Sequence, residues 1–306
     1  MYEGAITDTF LHGPWIGPDL AEEVRADRME WLDDPRMARV MQTFRHGEKG
    51  NDGPPRLSIA DILATMDRCG VERGILATKV YYPAQADRVI ALNRAFSDMS
   101  RESGGRLKWI ASLIPPEQGS ASYWDVMANS RLIAAIAGDP GLCGIHITPS
   151  PWAILPNDRW FYPAYAKCVE TGLPLFTYVG APGPLWPMET NNPAYLDDVA
   201  LAFPELRIIA HHIGDPWTDM SVRLAARHAH FYICTSAWSP KAFPAALTEF
   251  LRGRWHGVAG CDKVLFASDY PLMDLERTVR DARAMDLPAD KIANFLHNNA
   301  QRLFWS

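Results

Sequence analysis

Asp269 is the position in this sequence where chemistry is hardest to avoid. It directly follows an apolar run in LFASDYPL, and a carboxylate there is costly to desolvate unless it has a partner. A metal ion, a histidine or an activated water would serve; the plainer reading is a cap on the next helix. His211 and His212 in IIAHHIGDPW are adjacent. In an extended strand their side chains point to opposite faces, so at most one serves a common site. His12 after ITDTFL, His146 in LCGIHI and Tyr178 in LPLFTYV also fall at the ends of apolar runs. Lys79 near the end of GILATKV is a carboxylate binder by its charge. Imidazoles donate or take protons, and a phenol hydrogen-bonds a developing oxyanion. Each residue alone reads as a satisfied core or loop side chain. Together they describe acid–base chemistry at a carbonyl or carboxyl carbon.

Such residues must be positioned by a scaffold. Short apolar runs alternate with longer amphipathic segments, the pattern of βα units. Strands are expected at 5–11, 74–80, 107–114, 142–147, 173–179, 206–212, 230–236 and 263–268. Helices are expected after Ser58 to Cys69 and at 84–102, 123–137, 160–170, 194–202, 218–227, 241–251, 275–284 and 291–296. Nearly continuous apolar strands mean a sheet buried on both faces. Eight of them with crossover helices close most simply into a (β/α)8 TIM barrel, an α/β fold. A doubly wound open sheet is the alternative, but no Gly-rich first βα turn announces it. In a barrel the active site lies at the C-terminal strand ends, which is where His12, Lys79, His146, Tyr178, His212 and Asp269 fall. No repeat or linker divides the chain, so residues 1–306 read as one domain. Residues 13–56 are too long for an ordinary βα loop and read as a lid or capping insertion, with a helix at 19–27.

Composition narrows the function classes. A net charge of −6 with no Lys/Arg block argues against nucleic acid or an anionic membrane as partner. No apolar run approaches the roughly 18 residues needed to span a bilayer. The start, MYEGAITDTF, carries Glu3 and Asp8 where a signal peptide needs basic and then apolar residues, which points to a cytoplasmic protein. The five cysteines are an odd number, widely spaced and without a CxxC pair. They read as core residues rather than disulfides or a thiolate zinc site. Among the tryptophans, Trp15, Trp152, Trp186, Trp217 and Trp238 suit the walls of a pocket for a planar, aromatic or unsaturated small molecule; core or lid packing is the other reading.

At this point the sequence resembles the amidohydrolase superfamily, in particular its amidohydrolase-2 branch, which includes aminocarboxymuconate-semialdehyde decarboxylase. IIAHHIGDPW resembles the branch's strand-six segment, DKVLFASDYPL its strand-eight signature, and NNAQRLF its terminal helix. The middle, with GIHITPS and YAKCVETGLPLF, also fits, and the N-terminal quarter beyond ITDTFLH matches weakly. The resemblance implies a metal site built from D-x-H-x-H on strand one, a histidine on each of strands five and six, and an aspartate on strand eight. Here Phe10 replaces the first histidine and Tyr178 the strand-five histidine, while His12, His212 and Asp269 are retained.

Two readings follow from the resemblance. Without a metal, Asp269 is the general base, His12 and His212 polarise a carbonyl or protonate a leaving group, and Tyr178 binds the oxyanion. That set describes a hydrolase of a lactone, ester or C–C bond. With zinc or manganese held by His12, His212 and Asp269, and His146 as proton donor, nonoxidative decarboxylation of a hydroxyaromatic or enoic acid is the alternative. The reading without a cofactor is preferred. A ligand-binding barrel that has lost its activity is the third reading, opposed by the retention of Asp269 and His212. The exposed aromatics of residues 13–56 suit a homodimer interface as well as a lid.

Overall fold

The computed structural model describes residues 2–14, 21–38, 40, 57–82, 84, 86–117 and 119–305. Eight strands run parallel in sequence order around a barrel: β1 (Ile6–Leu11), β2 (Val71–Ala77), β3 (Leu107–Ser112), β4 (Leu142–Ile147), β5 (Leu175–Tyr178), β6 (Ile208–His211), β7 (Phe231–Cys234) and β8 (Val264–Leu265). The principal helices are α1 (Glu22–Asp33), α2 (Ile59–Cys69), α3 (Ala86–Glu102), α4 (Ala128–Ile136), α5 (Tyr162–Thr171), α6 (Tyr195–Ala202), α7 (Thr218–Arg227), α8 (Ala245–Arg252) and α9 (Leu275–Arg283). The chain is an α/β barrel. No helix among the described residues is long and apolar enough to cross a membrane.

Local signals place the elements. Ser58 and Asp61 form a capping box at the start of α2, with Ser58 N donating to Asp61 Oδ2 at 2.8 Å and Asp61 N to Ser58 Oγ at 3.2 Å. Gly70 ends the helix at φ 67°, a left-handed position that glycine adopts without strain. The helix expected over 123–137 is broken instead: Ala121–Trp124 and α4 are separate, and Asp125 leaves helical geometry and pairs with Arg131. The helix expected at 19–27 is displaced to Glu22–Asp33. Arg88 of α3 anchors it through Asp27 at 3.6 Å and through Glu30.

Alternation along the strands fills the barrel. Phe10, Ile75, Ala77, Ile110, Phe176 and Ile209 are buried together in its interior. Full burial of a ring such as Phe10 contributes about 2–3 kcal/mol. The last strand is shorter than expected, only Val264 and Leu265 pairing with β7, because beyond Leu265 the backbone turns its bonds to β1. Thr9 N donates to Phe266 O at 3.0 Å and Asp269 N to Phe10 O at 3.2 Å. Ser268 N and Phe10 N both donate to Asp8 Oδ1 at 3.1 Å. The buried Asp8 thus helps close the seam that carries His12 on one side and Asp269 on the other.

Candidate active site

His12 and Asp269 meet across this seam, with His12 Nε2 at 3.0 Å from Asp269 Oδ1. Both side chains are almost completely buried. Lys79, two residues beyond the end of β2, brings its Nζ to 3.4 Å from the same Nε2. A neutral ring has one hydrogen to give there. With Nε2–H donated to the carboxylate, the Lys79 ammonium is held by charge and by aromatic faces. Its Nζ lies 4.5 Å from the ring centre of Phe10, 5.5 Å from that of Tyr178 and 5.9 Å from that of Tyr81.

The other imidazoles surround this group. His146 donates from Nδ1 to Thr78 O at 3.2 Å, and His212 lies 3.1 Å from Ser236 O through its Nδ1. In both rings Nε2 is then an acceptor, and neither has a hydrogen-bond partner among the described residues. His211 faces the barrel interior, its ring 4.2 Å from Phe10 and stacked on Phe176 at 5.4 Å. The expectation that the adjacent histidines point to opposite faces fails for a backbone reason. β6 stops at His211, and His212 and Ile213 adopt left-handed φ of 65° and 55°. That turn carries His212 over the mouth, 4.1 Å ring-to-ring from Tyr178. Asp269 and Ala237 are also left-handed, at 65° and 64°, a strain of order 1 kcal/mol or more at each non-glycine position.

Above these residues lies a cavity of about 440 Å³ lined by His12, Trp31, Tyr81, Tyr178, His212, Trp238 and Asp269, among others. Lys79 and His146 are not among its lining residues. Lys79 stands just behind His12, Tyr81 and Tyr178, while His146 lies lower, beside His211 at 5.2 Å ring-to-ring. Of the tryptophans singled out in the sequence, Trp238 lines the cavity. Trp186 instead supports the wall, packing on Tyr81 at 5.0 Å. Trp152 donates its indole N–H to Val80 O at 2.8 Å, and Trp217 sits at the N-cap of α7. Neither lines the cavity, and Trp15 lies outside the described residues.

Burial sets the protonation states. It lowers His12 to about 4, the Lys79 charge acting in the same direction and Asp269 opposing. Burial likewise lowers His212 to about 4 against Asp269, and holds His146 and His211 well below the usual histidine range. Burial alone would raise the Asp269 carboxyl. His12, by charge and by hydrogen bond, outweighs it with Lys79 and His212, and holds Asp269 well below the usual carboxylate range. Burial also lowers Lys79 to about 7, against the pull of Asp269. Tyr178 is pushed up by burial and keeps its proton, with Tyr81 as a hydrogen-bond partner. At neutral pH the site therefore holds an ionised carboxylate, neutral imidazoles and a lysine close to its midpoint.

The sequence profile of the amidohydrolase family, Amidohydro_2, matches residues 8–305. The chain belongs to the amidohydrolase-2 family. No curated protein matches its sequence. Among solved structures this amidohydrolase is similar to an uncharacterised TIM-barrel protein of Bordetella bronchiseptica, at 21% identity and TM-score 0.73 over 98% of each chain. It is similar to the 5-carboxyvanillate decarboxylase of Sphingomonas paucimobilis at 19% identity and TM-score 0.71, covering 100% of this chain and 99% of the other. A third is the 5-carboxyvanillate decarboxylase of Novosphingobium aromaticivorans complexed with manganese and 4-hydroxy-3-methoxy-5-nitrobenzoic acid, at 17% identity and TM-score 0.67, covering 100% of this chain and 96% of the other.

Manganese in such a relative makes a divalent metal a question to put to these residues, and they do not fit one. The ring of Phe10 stands among the four imidazoles and offers no donor. Tyr178, a neutral phenol, is an uncommon ligand. Among the described residues no group of three or more His, Cys, Asp or Glu side chains is arranged to hold an ion. His12, His212 and Asp269 are not such a group, and the Lys79 Nζ faces His12 Nε2 at 3.4 Å. A divalent ion there would also face the Lys79 amine and would have to displace its proton.

Sequence reasoning missed three contributors. Trp31 and Arg28 sit three apart on α1, the Arg28 guanidinium lying 4.1 Å from the Trp31 ring centre and donating to His12 O at 3.0 Å. Their i, i+3 spacing was the available signal. Tyr81 continues the period-two series Ala77, Lys79, Tyr81 beyond the end of β2.

Proposed function

We propose that this chain is a carbon–carbon lyase that removes CO2 from a small planar acid, hydroxyaromatic or enoic. The observation that carries the reading is the lysine beside the Asp269–His12 pair, just behind the wall of an aromatic-lined cavity. Trp31, Tyr81, Tyr178 and Trp238 suit a flat π-system. Lys79 attracts the oxygens of the acid, and its Nζ holds a proton that can be released near neutral pH. That proton suits the carbon vacated by CO2. Tyr178 keeps its O–H and can donate it to an oxygen on which charge develops. Asp269 is too weak a base, held low by His12 and Lys79, to abstract a proton itself. Its role in this reading is a fixed negative charge that orients His12 and balances Lys79. Decarboxylases of carboxylated hydroxyaromatics among the similar structures support the substrate class.

Hydrolysis of a lactone or activated ester is the second reading, and His212 favours it. Its Nε2 is an acceptor on the cavity wall with no partner among the described residues, so it can take the proton of an attacking water. The experiment that separates the two is an assay of hydroxybenzoic and enoic acids for CO2 release beside an assay of lactones for ring opening. CO2 release that is lost in Asp269→Asn supports the lyase, whereas lactone opening without CO2 release supports the hydrolase.

A further inference from the structure

We infer that the Lys79 ammonium, seated on the ring of Phe10, is the resident cation of this site and stands where a divalent ion would otherwise be held. The Phe10 ring centre lies 5.8 Å from that of His12, 6.1 Å from His146, 4.2 Å from His211 and 5.8 Å from His212. The middle of a nest of four imidazoles is thus filled by hydrocarbon. What a benzene ring does offer is a negative face, and the Lys79 Nζ takes it at 4.5 Å from the centroid. Tyr178 and Tyr81 lie further out on other sides of the same nitrogen, at 5.5 and 5.9 Å. Three aromatic rings and the Asp269 carboxylate behind His12 together make a cage for the chain's own ammonium.

The exchange is chemically coherent. Phe10 removes a donor and creates the surface on which an ammonium can rest. Lys79 then brings one positive charge and up to three N–H donors on a tether that cannot dissociate. The imidazoles, held neutral by burial, do not compete with it as cations. A ligand oxygen in the cavity meets the field of this single tethered charge, which lies behind the wall formed by His12, Tyr81 and Tyr178. The inference concerns which cation the protein carries, and it stands whether the reaction is decarboxylation or hydrolysis.

The test is a metal titration that reads no turnover. Protein purified without metal-chelate affinity and dialysed against a chelator is titrated with Mn²⁺ and with Zn²⁺ by calorimetry. Retained metal is then counted by elemental mass spectrometry after gel filtration. The unaltered chain is expected to retain neither ion stoichiometrically. The double variant Phe10→His, Lys79→Met is expected to take up one equivalent, because a donor replaces the ring and the competing charge is gone. Stoichiometric retention by the unaltered chain overturns the inference. So does a folded double variant, judged by an unchanged circular-dichroism spectrum, that still binds no metal. Should the double variant fail to fold, the unaltered chain decides alone: one bound ion refutes the inference and none upholds it. Failure of the decarboxylase assay leaves this result untouched, so the two claims fall separately.

Discussion

The carboxylate of Asp269 and the imidazole of His12 lie 3.0 Å apart across the seam where the first and last strands of the barrel meet. The same seam is closed by the Asp269 amide on Phe10 O and by the Asp8 carboxylate on Ser268 N. Barrel closure and the reactive pair therefore share one backbone seam. A substitution at the seam should be felt in both stability and chemistry.

Asp269→Asn removes the charge and keeps the shape. Turnover is expected to fall by roughly 10²- to 10⁴-fold, the usual weight of a positioned acid–base group. Asp269 no longer offsets the buried Lys79 charge, which favours the neutral amine, and the weakened bond to His12 costs about 1–3 kcal/mol. Kinetics paired with thermal melts of the variant measure the two effects together. An active, fully stable variant would refute the role given to the pair.

Lys79 gives the site a pH dependence with a defined sign. Burial brings the ammonium down to about 7, so it is cationic below that pH and neutral above it. The affinity for benzoate, followed by tryptophan fluorescence, is expected to be higher at pH 6 than at pH 8.5. Lys79→Gln should weaken binding at pH 6 by about tenfold, as losing roughly 1–2 kcal/mol of attraction from a nearby buried charge implies, and remove the pH dependence. Equal affinity at both pH values in the unaltered chain would contradict it.

The buried histidines predict the acid limit of stability. His12 and His212 are lowered to about 4 from an unfolded value near 6.5. The unfolded chain therefore binds more protons between these pH values, and stability is lost as pH falls from 6.5 toward 4. Each of the two contributes on the order of 3 kcal/mol, and His146 and His211 act in the same direction. Asp8 and Asp27, raised by burial to about 7 and about 6, work the other way, but they are two against four. Melting temperature should drop steeply between pH 6.5 and 4.5. His211→Leu, which removes a ring with no hydrogen-bond partner among the described residues, should make that drop shallower. A flat profile would show that the histidines are not buried as described.

Particular residues show what the sequence made legible. The barrel was readable because eight apolar runs alternate with helical periods, although β8 keeps only Val264 and Leu265 because its later residues bond to β1 instead. Asp269 and His12 could be singled out for the same reason, each sitting where a buried strand meets the mouth. His211 and His212 were misjudged because alternation assumes an extended chain, and a left-handed turn at His212 is a tertiary outcome. Phe10 looked like a missing ligand. That its ring fills the middle of four imidazoles and carries the Lys79 ammonium depends on how the tips of β1 and β2 converge, which no local spacing encodes. Trp31 and Arg28 were hidden because a charged, Trp-containing segment reads as surface until its helix is seen docked over the barrel.

The most direct test of the proposed lyase is to incubate the chelator-treated protein with hydroxybenzoic and enoic acids in D2O and follow CO2 release and product labelling by mass spectrometry and NMR. The account predicts CO2 together with a solvent-derived deuteron on the vacated carbon, unaffected by added chelator and lost in Asp269→Asn. Lactone opening with no CO2 from any of these acids, or CO2 release that depends on added manganese, would contradict it.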